Sequence, residues 1–134
     1  MIICKPRGDR DTSATRFNHV SHGLRSVHEV IPGESREEYD TLKKEIEEDL
    51  QPCGALEKSL VERLVFFLWR LKRAMRAECT LVFTNLKLDN DPVDWGRLLG
   101  SNLLDQIVRY ESHATRQISK ILDELRKLRA ERIQ

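Results

Sequence analysis

Apolar residues recur at three- and four-residue intervals over three stretches of the chain, and this spacing predicts three helices. Tyr39, Leu42, Ile46 and Leu50 form a single stripe along the first. Ser35 and Glu38 stand at capping-box spacing before it, and Pro52 and Gly54 close it. The second helix is expected from about Ala55 to about Phe83. At 100° per residue, Leu60, Val61, Leu64, Phe67, Leu68, Leu71, Met75 and Val82 share one face of it. The third is expected from about Ser101 onward. Its positions Leu104, Ile107, Glu111, Ala114, Ile118, Ile121, Leu125 and Leu128 alternate in steps of three and four. Such spacing, kept over several heptads, suits a coiled-coil seam. It equally suits two helices of one bundle packed at nearly the same angle.

Before these helices the pattern disappears. Residues 1–33 carry no sustained period, and Gly8, Gly23, Pro32 and Gly33 punctuate them. They read as an irregular basic arm that ends in a turn at Ile31-Pro32-Gly33. Between the second and third helices, Asn85 to Asp91 reads as a polar loop. Asp91-Pro92-Val93-Asp94 is a good start for a short helix that stops near Gly100. The expected fold is therefore all-α: an antiparallel three-helix bundle with long second and third helices and an irregular N-terminal arm. The arm covers residues 1–33, and one helical domain covers 34–134.

Composition agrees with long helices. Of 134 residues 34% are charged, above the roughly 25% of an ordinary globular domain, and 6% are aromatic. No segment approaches the roughly 18 apolar residues of a membrane-spanning helix, and the N-terminus shows no apolar signal core. Cys4, Cys53 and Cys79 are odd in number and widely spaced, which favours a reducing, cytoplasmic setting over a disulfide framework.

The net charge of +1 hides an alternation. Residues 1–27 hold five basic and two acidic groups, and residues 28–58 hold four and ten. Residues 59–80 hold five and two, and residues 106–134 hold seven and four. A uniformly basic coat is excluded, whereas local basic patches are expected.

The arm and first helix carry a recognisable order of short motifs. Asn18-His19-Val20-Ser21-His22-Gly23-Leu24-Arg25-Ser26 precedes Val30-Ile31-Pro32-Gly33-Glu34. Leu60-Val61-Glu62-Arg63, Leu68-Trp69-Arg70 and Arg109-Tyr110-Glu111 follow. Together they resemble a group of small uncharacterised bacterial proteins with an HGLRS-like arm, a PGE turn, a VERL…LWRL helix and an RYE helix. Members tend to occur near transposons and prophages. The resemblance spans residues 18–130 and implies a mobile-element association. It brings no activity, so it assigns no catalytic residue.

Enzyme chemistry finds little support in the residues. Cys4, His19, His22 and His28 could be imagined around zinc, but no Cys-x-x-Cys pair accompanies them. Cys53 stands at a helix start with no base in prospect, and Cys79 reads as a space-filler. No catalytic residue, metal site or cofactor is expected. The stronger signal is the second helix, where Phe66 and Trp69 fall among Arg70, Arg73 and Arg76. Together with Arg16 and Arg25 of the arm, these residues could stack bases and neutralise phosphates of RNA or DNA. The competing reading buries Phe66 and Trp69 against the first helix or the arm and pairs the arginines with acidic helix one. The alternative function is a protein–protein module. In it Ile118, Ile121, Leu125 and Leu128 of the third helix meet a second copy or a partner protein. Neither reading involves a membrane.

Overall fold

The computed structural model describes residues 29–88 and 102–133, with the side chains of 84–88 excepted. The described residues form three helices and no strand: α1 (Arg36–Leu50), α2 (Gly54–Leu88) and α3 (Asn102–Ile133). The all-α expectation holds. No helix among the described residues is long and apolar enough to cross a membrane. Most of the arm, the Asp91–Gly100 helix start and Cys4, His19, His22 and His28 lie outside the described residues.

The start of α1 follows the sequence closely. Glu34 N–H donates to the Ile31 carbonyl at 3.1 Å, closing the turn. Gly33 at its tip has φ +92°, where a side chain would be strained. Ser35 is the N-cap, and its hydroxyl accepts from the Glu38 N–H at 3.3 Å. Glu37 and Glu38 lie in the first turn, at the positive end of the helix dipole. At the other end Gln51 takes a left-handed conformation (φ 43°), and its N–H donates to the Glu47 carbonyl. This ends α1 before Pro52.

Helix α2 starts at Gly54 and runs to Leu88, five residues past the expected end at Phe83. The polar look of Asn85 suggested a loop. No glycine or proline interrupts the chain until Pro92, and Leu86 and Leu88 are good helix formers. Its predicted apolar face is largely covered: Val61 and Leu64 are buried, and Leu60, Phe67, Leu68, Leu71 and Val82 are half-buried. Met75 departs from the expectation and is 54% exposed. Cys79, expected to fill space, is exposed as well.

Two apolar clusters hold the helices together. Tyr39 of α1, Val61, Leu64, Val65 and Trp69 of α2, and Ile121 and Leu125 of α3 form the first. Ala74 and Leu81 of α2 with Ile107 of α3 form the second, which contains no α1 residue. The difference follows from length. At about 1.5 Å per residue, the 15 residues of α1 cover less than half of the 35 residues of α2.

Buried carboxylates fasten α1 at both ends. Glu34, in the turn before α1, reaches Arg73 in the middle of α2. Arg73 Nε donates to Glu34 Oε1 at 2.6 Å and Nη2 to Oε2 at 3.0 Å. Trp69 Nε1 (2.9 Å) and the Ile31 N–H (3.1 Å) also donate to Oε2. Arg73 Nη2 further donates to the Glu29 carbonyl at 3.2 Å. After α1, Glu57 in the first turn of α2 accepts from the Cys53 N–H at 3.0 Å. It also meets Arg132 of α3 at 2.7 Å and Arg129 at 3.4 Å. Arg129 donates in addition to the Leu50 carbonyl at the end of α1.

Candidate functional site

The basic and aromatic residues of α2 divide between two sides of the helix. On the α1 side the side chains are consumed by the fold. Trp69 is 1% exposed, with its ring edge-on to Tyr39 at 5.5 Å and an interplanar angle of 86°. Arg73 is 6% exposed and paired with Glu34. Arg76 is exposed but spans from Glu38 (2.8 Å) to the face of Trp69 (5.3 Å). Trp69 and Arg73 are thus withdrawn from the surface that the sequence suggested. A glutamate buried in the turn competes for both, and the alternation of basic and acidic segments is the sign of that pairing.

Phe66 and Arg70 remain on the other side, where Arg70 meets Tyr110 of α3. The Arg70 guanidinium lies over Phe66 at 5.0 Å and over Tyr110 at 4.7 Å from the ring centres. Phe66 meets Phe67 edge-on at 5.6 Å, and Phe67 meets His113 at 6.1 Å. Phe66, Phe67, Arg70 and Tyr110 are half-buried and His113 is exposed. Burial pushes the Tyr110 phenol above its ordinary value, with the charge of Arg70 pulling the other way. The result is a cluster across α2 and α3 in which a cation is held among π faces.

Exposed cations lie on both helices that carry this cluster. Arg63 lies one turn before Phe66 on the same side of α2. On α3, Arg109, His113, Arg116 and Lys120 are all exposed and follow in steps of four, three and four, which makes one stripe. Arg109 has a loose surface contact with Asp105 at 3.5 Å, worth little in water. Sequence reasoning missed Tyr110, His113, Arg116 and Lys120 as site residues. Their signal was present in the basic balance of residues 106–134 and in that spacing. It was read for its apolar heptads alone.

The heptad positions themselves face inward. Ile121 and Leu125 are 1% and 3% exposed in the first cluster, with Ile118 packed against it and Leu128 half-buried. Ile118, Ile121 and Leu125 pack with α1 and α2 residues in that cluster. Among the described residues no group of His, Cys, Asp and Glu side chains could hold a metal ion. Cys53 is exposed, and its N–H rather than its thiol is engaged, by Glu57. Arg16 and Arg25 lie outside the described residues.

The chain was compared with family models, characterised proteins and solved structures. None of them matches it.

Proposed function

We propose that this chain is a non-enzymatic nucleic-acid-binding accessory protein of the cytoplasm, associated with a mobile element. Its contact surface is the α2–α3 surface around Arg70 and Tyr110. The observation that carries this reading is the Arg70 guanidinium seated between Phe66 and Tyr110, flanked by exposed cations on both helices. Arg63, Arg109, Arg116 and Lys120 neutralise successive phosphates, which supplies sequence-independent affinity. Phe66, Tyr110 and His113 offer faces and edges for unpaired bases, and a half-exposed arginine adds stacking of its own. Single strands suit such a surface better than a duplex, whose bases are already stacked.

The finer architecture belongs to the same reading. The three helices run antiparallel as one bundle. The Glu34–Arg73 pair at one end of α1 and the Glu57–Arg129 pair at the other support this order. The mobile-element association rests on the motif resemblance of residues 18–130.

Titration of labelled single-stranded RNA, single-stranded DNA and duplex DNA across a salt series tests the proposal. Affinity should fall steeply with salt, and Arg116→Ala/Lys120→Ala should lower the slope by about 1 per phosphate contact removed. Arg70→Ala should weaken single strands more than duplex. No binding at low salt overturns the reading, and so does binding that neither variant changes.

A further inference from the structure

Helix α1 and the turn before it make the contacts to α2 that a nucleic-acid strand would make. Trp69, Arg73 and Arg76 follow one another on α2 in steps of four and three, so they share one stripe. Each is engaged from the α1 side. The Glu34 carboxylate takes Arg73 through two oxygens, at 2.6 and 3.0 Å, in the fork geometry by which a guanidinium grips a phosphate. Glu38 supplies a second anion, to Arg76 at 2.8 Å. The Tyr39 ring stands edge-on to Trp69 at 5.5 Å and covers the indole on which a base could stack. Residues 29–50 hold nine acidic and three basic groups, so the cover is also anionic as a whole.

The same helix is the separable layer of the fold. Tyr39 is its one buried residue. Helices α2 and α3 share both apolar clusters, and the second holds no residue of α1. Fifteen residues make a marginal helix in water, so α1 depends on its docking. A short connection, residues 51–53, leads from α1 into α2 and can serve as a hinge. Arg129 holds the Leu50 carbonyl beside that hinge, which leaves the Glu34 end as the end that lifts.

We propose that α1 is an autoinhibitory cover, and that a single-stranded nucleic acid lifts it and binds Trp69, Arg73 and Arg76 in its place. This rests on the nucleic-acid reading and adds the regulation of that surface. Phosphates replace the carboxylates of Glu34 and Glu38, and a base replaces Tyr39 against Trp69. The covered stripe adjoins the surface around Arg70, because Arg73 follows Phe66 by two turns of α2 and its charge reaches the Tyr110 phenol. A strand held at Arg70 therefore lies next to the stripe it uncovers. Lifting α1 exposes Tyr39 and Trp69 to water, so the covered form dominates without a ligand and lowers apparent affinity by the fraction that is open.

The test uses the full chain carrying Cys4→Ser, Cys53→Ser, Cys79→Ser and Trp95→Phe, which leaves Trp69 as its one tryptophan. Thr41→Cys and Lys72→Cys add thiols on α1 and α2 at two positions that line one cleft, and a short bis-maleimide joins them. Before cross-linking, a single-stranded oligouridylate should quench Trp69 emission, and after it the emission should not change. The salt slope of binding should be greater by about 2 before cross-linking, one for each of Arg73 and Arg76. Comparing one chain with and without its cross-link separates the effect from any failure to fold. Glu34→Gln/Glu38→Gln, without the cross-link, should bring quenching to a lower oligouridylate concentration. Binding with the same Trp69 emission and the same slope in both forms overturns the cover and leaves the Arg70 surface standing. Absence of binding in every form at low salt overturns the nucleic-acid reading, and the cover with it.

Discussion

Two glutamates do work at the residue scale that their neighbours in sequence do not announce. Burial pushes the Glu34 carboxyl up. The hydrogen bonds from Arg73, Trp69 and the Ile31 N–H, with the charge of Arg73, outweigh it and hold the group below its ordinary value. The Cys53 N–H, against the opposing effect of burial and with Arg132 and Arg129 beside it, holds Glu57 down as well. An unfolded glutamate titrates near about 4.3. Because both folded values lie below that, their stabilisation is complete above it and is lost as pH falls through the folded values. Acid unfolding followed by circular dichroism should therefore begin below about pH 4.3, and Glu34→Gln should flatten that limb. Arg73→Ala leaves a buried carboxylate without its partner, and should cost about 3–5 kcal/mol in urea unfolding. Glu34→Met/Arg73→Met should cost far less than that, since both charges leave together.

At the scale of elements, the helix starts were legible because caps are local. Ser35, Gly33 and Gln51 each act within four residues of themselves. Ser35→Ala should lower stability by about 1 kcal/mol. The end of α2 was misread for the same reason, since polar composition at Asn85 is a weak stop when no breaker follows. Core positions were legible only in part. Periodicity found Val61, Leu64, Ile121 and Leu125, but Val65 and Trp69 are buried too because α2 is flanked on two sides. Ile121→Ala opens a cavity at a residue 1% exposed and should cost about 2–5 kcal/mol. Met75→Ala, at 54% exposure, should cost well under half of that if measured the same way.

For the whole molecule, the seam of α3 is spent on α2. Sedimentation equilibrium should therefore find a monomer at micromolar concentration, and a stable dimer would require a surface other than Ile118, Ile121, Leu125 and Leu128. The candidate site is divided in the same way. Phe66 and Arg70 were legible from the basic-aromatic run of α2, but Trp69 and Arg73 in that run belong to the core. Tyr110, His113, Arg116 and Lys120 join from a helix some 40 residues later, and no local pattern ties them to Phe66.

The sequence by itself determined the class of fold, the helix starts, the turn at Gly33 and the apolar stripe of α3. These depend on backbone preference, capping and apolar period, which act over a few residues. Only the tertiary structure decided which arginines are drawn into the core. That choice turns on which carboxylate lies within hydrogen-bonding distance once the helices have packed. Glu34 reaches Trp69 and Arg73 across 35 and 39 residues of chain. The charge blocks showed that such pairing was available, and the packing of α1 on α2 selected the pair.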